Sequence, residues 1–106
     1  ELRAAKAYLL SETDRLWQIA QDQADEIPVN DRADLRLACT HAVRKTADIC
    51  RVAYDLGGGA ALFSDHDLQR RFRDSHAITQ HIMTAPATYD MVGKVLLDKT
   101  VNSSMI

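Results

Sequence analysis

The sequence predicts an all-α fold, an antiparallel helical bundle of about four helices forming one domain over residues 1–106. Three observations carry this. Apolar residues recur three and four positions apart, as on one face of a helix, and do not alternate as in a strand. The stretch from Asp31 to Leu56 holds neither proline nor glycine. Such residues appear instead where the periodic runs stop, at Pro28, Gly57 to Gly59 and Pro86.

The first helix is expected over residues 1 to about 26, with Leu2, Ala5, Leu9, Leu16 and Ala20 as its stripe and Trp17 and Ile19 widening it. Pro28 disfavours helix at Ile27, and Asn30 or Asp31 is a good amino-terminal cap for the next segment. The second helix spans about Asp31 to Leu56, with Leu35, Ala38, Ala42, Ile49, Ala53 and Leu56 on one face. Arg36, Arg44, Lys45, Asp48, Arg51 and Asp55 fill its polar positions. Many of its apolar positions are small, which lets neighbouring helices approach closely. A glycine of the Gly57-Gly58-Gly59 run closes it by adopting the left-handed conformation.

An apolar connection, Ala60 to Phe63, leads to Ser64 or Asp65 as cap for a third helix from about His66 to His81. Its stripe is Leu68, Phe72, Ser75 or His76, and Thr79. Thr84-Ala85-Pro86 marks a restart, because proline is tolerated in a first turn and not deeper in a helix. The last helix then runs from about Pro86 to Asp98 on Tyr89, Val92, Leu96 and Val95, leaving Lys99 to Ile106 as a tail that is frayed or ordered by a partner.

Composition narrows the function classes. Hydrophobic residues make up 46% and charged residues 26%, and 13 basic and 15 acidic side chains are interspersed to a net charge of -2. That offers no one-sign surface for nucleic acid or an anionic membrane. No apolar run approaches the roughly 20 residues of a bilayer span, and no secretion signal is present, so a cytoplasmic location is expected. The chain begins without methionine, in what reads as helix interior, which predicts an excised or processed fragment. Cys39 and Cys50 share one predicted helix, about 16 Å apart along its axis, too far to pair. They are expected as reduced, buried thiols.

The chemistry-bearing residues concentrate between Tyr54 and His81. Glycine-run amides and the nearby Arg70, Arg71 and Arg73 can hold phosphate oxygens, although a glycine run also serves simply as a helix stop. Arg73-Asp74 also reads as an ion pair pinning the third helix to its neighbours. His81 also reads as a helix-terminal histidine facing the dipole. His76, five residues earlier, lies about 140° around a helix from His81, so the two do not chelate one metal, and no metal site is expected. His41 reads as a packed polar side chain and His66 as a first-turn surface residue. Trp17, Tyr54 and Tyr89 read as core or interface anchors. No serine or cysteine has the surroundings of an activated nucleophile.

The order of these parts, a long helix ending in Gly57-Gly58 and followed by Arg73-Asp74, resembles the carboxy-terminal bundle of acyl-CoA dehydrogenases and of the flavin monooxygenases that share their fold. The resemblance runs over roughly residues 1–98, and its specific part lies between Tyr54 and His81. Dehydrogenases of this kind commonly carry glutamine where Tyr54 stands and a third glycine where Ala60 stands. Many also place a catalytic glutamate after the Arg-Asp pair, whereas this chain has no glutamate after Glu26. Arg73-Asp74-Ser75-His76-Ala77-Ile78-Thr79-Gln80-His81 is similar instead to the Arg-Asp-x-x-Ala-x-x-x-His pattern of the oxygenase component of two-component monooxygenases.

That resemblance implies the C-terminal part of a larger flavoenzyme subunit, hydroxylating an aromatic or heteroaromatic substrate with dioxygen. It implies reduced FMN or FAD, a separate flavin reductase and a homotetramer. His81 becomes the expected catalytic residue, either hydrogen bonding to the oxygenated flavin or helping to deprotonate a phenolic substrate, and imidazole suits both tasks. Tyr54, Gly57, Gly58 and Arg73 become the expected cofactor-binding residues, with Tyr54 and the two glycines serving a neighbouring subunit's flavin. The rival expectations are an acyl-CoA dehydrogenase with its glutamate elsewhere in the parent chain, and a noncatalytic helical interaction domain. The fragment alone is expected to be inactive.

Overall fold

A computed structural model describes residues 1–22 and 26–106 and contains four α-helices, with no strand among the described residues. They are α1 (Leu2–Asp22), α2 (Val29–Gly57), α3 (Asp67–Ile78) and α4 (Ala87–Leu96), with short 3₁₀ turns at Gly58–Leu62, Ile82–Thr84 and Ser103–Met105. The all-α bundle is as expected. The expected extension of the first helix into residues 23–25 lies outside the described residues, and Glu26 is already non-helical.

α2, at 29 residues about 43 Å long, is the spine against which the other helices pack. α1 runs antiparallel along it: Tyr8 meets His41 edge to face with ring centroids 6.0 Å apart, and Arg15 pairs with Asp31 and Asp34. The inward face of α1 is Ala5, Leu9, Glu12, Leu16 and Ile19. Trp17 falls about 100° from Leu16 and is 63% exposed, so it does not widen the buried stripe; Leu2 and Ala20 are exposed as well.

Along the opposite side of α2, the remaining elements follow one another in reverse order. α3 meets the last turns of α2 at Tyr54 and Gly57. The Ile82–Thr84 turn meets its middle at Arg36 and Thr40. α4 packs on its first turns, where Val92 and Val95 close over Ala33, with Val29, Leu37, Val101 and Ile106 around them. The expected frayed tail is therefore laid on its own chain's core, because Val101 and Ile106 supply apolar surface that covers it.

The boundaries show which local forces won. α2 starts at Val29, directly after an extended Pro28, so Asn30 and Asp31 lie inside its first turn and do not cap it. Asp31 is drawn instead into the ion pair with Arg15. At the other end Gly58 takes φ +57° with ψ −150°, a positive-φ conformation that favours glycine but not the left-handed helical one expected, and its N–H donates to the Asp55 carbonyl. Leu56, expected on the buried face, is 84% exposed.

α3 is shorter than expected. Its cap is His66, whose Nδ1 accepts the Leu68 N–H, and not Ser64 or Asp65. It ends at Ile78, three residues before His81, since hydroxyls satisfy the carbonyls that the break exposes. Thr79 Oγ1 donates to His76 O at 2.7 Å, and Thr84 Oγ1 donates to Ile78 O and His81 O at 3.1 and 3.2 Å. The restart at Pro86 is observed. α4 buries Thr88, Val92 and Val95, while Tyr89 and Leu96 are exposed. It closes at Asp98 (φ +53°) with Lys99 N–H donating to Lys94 O and Asp98 N–H to Val95 O, a Schellman ending built without glycine.

Candidate functional site

The chemistry-bearing residues of the Tyr54 to His81 segment fall at two ends of the α2–α3 contact. At the first end, three rings stack between the helices. Tyr54 and Phe72 lie 4.7 Å apart at 29°, and Phe72 and His76 lie 4.4 Å apart. Gly57 permits this approach, since a Cβ there would stand 2.8 Å from Leu68 Cδ1. Gly58 and Gly59 face open space, where an added Cβ meets nothing within 4 Å. The Tyr54 hydroxyl makes no hydrogen bond with the described residues.

Arg73 lies on the outer face of α3, its nearest charge partner being the adjacent Asp74 at 3.9 Å. Both side chains are mostly exposed, so this pair does not pin α3 to a neighbour as one expectation had it. His76 approaches the Phe72 carbonyl with Nδ1 at 2.8 Å. An acceptor at that distance requires Nδ1 to carry the hydrogen, so the neutral ring presents a bare Nε2.

His81 stands at the second end, exposed, in extended backbone before the Ile82–Thr84 turn. Its Nδ1 accepts the Met83 N–H at 3.1 Å. The neutral ring must therefore carry its hydrogen on Nε2, the opposite tautomer to His76. Tyr54 and Thr40 are fourteen positions apart on α2, so the two ends are separated by about 20 Å. One chain thus does not bring His81 together with Tyr54, Gly57 and Gly58.

Beneath His81 lies a residue that the sequence reading placed among polar surface positions. Arg36 is only 7% exposed. Its Nη1 donates to Met83 Sδ at 3.0 Å, and its Nε is enclosed without a partner. Arg36 lines two cavities. One, of about 410 Å³, is bordered by Ile82, Met91, Val101 and Met105. The other, of about 280 Å³, is bordered by Leu16, Leu35, Cys39 and Ile106. Nothing in the helical spacing flagged Arg36; its burial depends on how the chain folds back after His81.

Burial pushes the Cys39 thiol above its ordinary value, with the Arg36 charge pulling weakly the other way. Both cysteines are free and half-buried. The Tyr8 phenol is raised by burial and by the carboxylates of Glu12 and Asp34. Arg15 is held more firmly protonated by its hydrogen bonds to Asp31 and Glu12. A third cavity, of about 320 Å³ and lined by His41, Arg44, Lys45, His76 and Tyr89, lies between the two ends. Among the described residues no cluster of three or more His, Cys, Asp or Glu is arranged to hold a metal, and no helix is long and apolar enough to cross a membrane.

Residues 1–86 match the family model described as the acyl-CoA dehydrogenase C-terminal domain. The chain is similar to an indole-3-acetate monooxygenase of Pseudomonas putida, 32% identical over 92% of this chain and 25% of that protein. It is 33% identical to an indole-3-acetate monooxygenase of Acinetobacter baumannii, over 90% of this chain and 24% of the relative. With a pigment production hydroxylase of Rhodococcus erythropolis it shares 34% identity, over 83% of this chain and 22% of the relative. The chain thus spans about a quarter of the length of the curated relatives it matches.

Proposed function

We propose, from the premise that this chain belongs to the acyl-CoA dehydrogenase C-terminal domain family, that it is the helical C-terminal part of a flavin-dependent monooxygenase subunit. The reaction is hydroxylation of an aromatic or heteroaromatic substrate with dioxygen. The observation that carries the reading is similarity to proteins named as monooxygenases and a hydroxylase over most of this chain. Beside it stands His81, in a chain with no glutamate beyond Glu26 to serve a dehydrogenase.

Reduced FMN or FAD, delivered by a separate reductase, supplies the electrons that activate dioxygen. The first end of the α2–α3 contact fits a role in holding such a group: open backbone at Gly58 and Gly59, an unengaged Tyr54 hydroxyl and the exposed cation of Arg73. Gly57 is occupied by packing against Leu68 and helps only by placing its neighbours. The separation of about 20 Å along α2 favours a homotetramer in which this end serves a neighbouring subunit's flavin and His81 faces its own. The setting of the subunit is cytoplasmic.

His81 has two expected tasks, and its hydrogen bond favours one. With Nδ1 accepting from Met83, the ring offers Nε2–H as a donor toward the oxygen being transferred. Acting as a base at Nε2 would require the hydrogen to sit on Nδ1 and would cost the cap. The ring is thus held in one orientation by a main-chain bond and positions a proton at Nε2.

The full-length protein, supplied with reduced FMN or FAD and isotopically labelled dioxygen, should place one labelled oxygen atom into an aromatic acid such as indole-3-acetate. Bleaching of the oxidised flavin by an acyl-CoA thioester, with no labelled product, would establish a dehydrogenase instead. Absence of flavin binding would leave a noncatalytic interaction domain.

A further inference from the structure

We propose that Arg36 receives the carboxylate of the aromatic substrate, making this subunit selective for aromatic acids over their neutral analogues. The inference rests on the monooxygenase reading for the word substrate, and on the geometry of Arg36 for the rest.

A guanidinium offers five donors and is never neutral. Enclosing one in protein without a counter-charge is strongly unfavourable, because the lost hydration is not replaced. Arg36 is enclosed, yet among the described residues the one hydrogen bond of its side chain goes to a thioether, a weak acceptor, and its Nε has none. No carboxylate among the described residues pairs with it. Those of the surrounding helices are engaged elsewhere: Asp31 and Asp34 with Arg15, Asp90 with Lys94 at 2.7 Å. The group is built as half of an ion pair whose other half is not a described side chain.

The cavity of about 410 Å³ indicates what the other half is. Its volume falls in the range of small-molecule sites, roughly 300–1,000 Å³. Ile82, Met91, Val101 and Met105 wall it with apolar surface suited to a flat ring, and Arg36 is its buried charge. Lys94, also at its edge, is neutralised by Asp90. Ile82, the first residue of the turn after His81, lines this cavity, so a ring anchored by its carboxylate on Arg36 borders the turn that follows the imidazole. A planar carboxylate pairs with the guanidinium edge through two parallel hydrogen bonds, and an amide or a methyl group cannot.

A carboxylate from another segment of the parent polypeptide is the competing source of the missing charge, and binding to the full-length protein separates the two. Calorimetry with indole-3-acetate and indole-3-acetamide, in the absence of reduced flavin, should show the acid binding at least about 10-fold more tightly. Arg36→Met should weaken the acid by about 10- to 100-fold, the usual range for losing a charged hydrogen-bond partner. The amide should change by less than about threefold, and Arg36→Lys should recover part of the loss.

Equal affinity for acid and amide in the unmodified protein overturns the proposal, and that comparison requires no variant to fold. So does failure of the acid to bind, or an equal loss of both ligands in Arg36→Met and Arg36→Lys. Selective acid binding without labelled hydroxylated product would sink the monooxygenase reading and leave Arg36 as an acid-binding residue. Hydroxylation without acid selectivity would do the reverse.

Discussion

At one end of the α2–α3 contact, Tyr54, Phe72 and His76 stack ring on ring, Gly57 lets Leu68 press against α2, and the His76 Nδ1–H is spent on a carbonyl. At the other, a buried arginine leans on a methionine sulfur, and an exposed imidazole stands on a short turn. The first end is held by its stacked rings, while the Tyr54 hydroxyl, the enclosed Gln69 Oε1 and its outer backbone remain without partners among the described residues. The second retains a charge and a ring N–H that the described residues do not use. The difference is between stacked rings with open backbone and a buried charge beside an imidazole, and it underlies the proposal that the first end holds the flavin and the second carries the reaction.

The contrast can be broken by substitution. Phe72→Ala removes the middle ring of the stack and should cost about 3 kcal/mol of stability, read from denaturant unfolding. An effect below about 1 kcal/mol would mean that the first end is not held by the stack. Thr84→Val deletes the hydroxyl that serves the Ile78 and His81 carbonyls while keeping the side-chain shape. A loss of about 1–2 kcal/mol is expected, with faster amide exchange confined to residues 78–84; uniform exchange through α3 would deny the turn its separate character.

The smallest effect concerns pH. Because burial raises the Cys39 thiol, the folded chain holds that proton after an unfolded thiol, at about 8.5, has released it. The associated stability is fully present below that pH and is lost as pH rises through the folded value. Unfolding free energy should therefore fall more steeply above about pH 8.5 in the parent protein than in Cys39→Ala. Identical slopes would show that Cys39 is not buried beside Arg36.

The helices were largely legible because their signals are local. Pro28 and the glycine run bracket α2, and a glycine was expected at its close, although Gly58 takes positive φ with ψ −150° and not the left-handed helical conformation. Pro86 announced the restart. The end of α3 was not legible, since Thr79-Gln80-His81 contains no breaker and the chain leaves the helix there on hydroxyl-to-carbonyl bonds that need Thr84 in place. Faces were read less well than boundaries. Leu56 and Trp17 sit on plausible stripes, but no helix covers them.

The site divided the same way. His81, Tyr54, Gly57, Gly58 and Arg73 were visible as a motif, whereas the distance between their two ends follows from α3 lying antiparallel to α2. Arg36 was read as one of six polar residues on α2. Its burial arises from residues 82–106 folding back over it, a tertiary event that no spacing within α2 encodes.

The most direct test of the account exchanges His81 in the full-length protein. His81→Ala removes the ring, and His81→Asn retains a short acceptor able to cap the Met83 N–H. Hydroxylated product formed per reduced flavin consumed, measured with saturating aromatic acid, should drop by about 100-fold or more in both variants, with flavin binding and thermal stability retained. Product formation at the parental level in His81→Asn would contradict the account, because it would reduce His81 to the cap that Asn can replace.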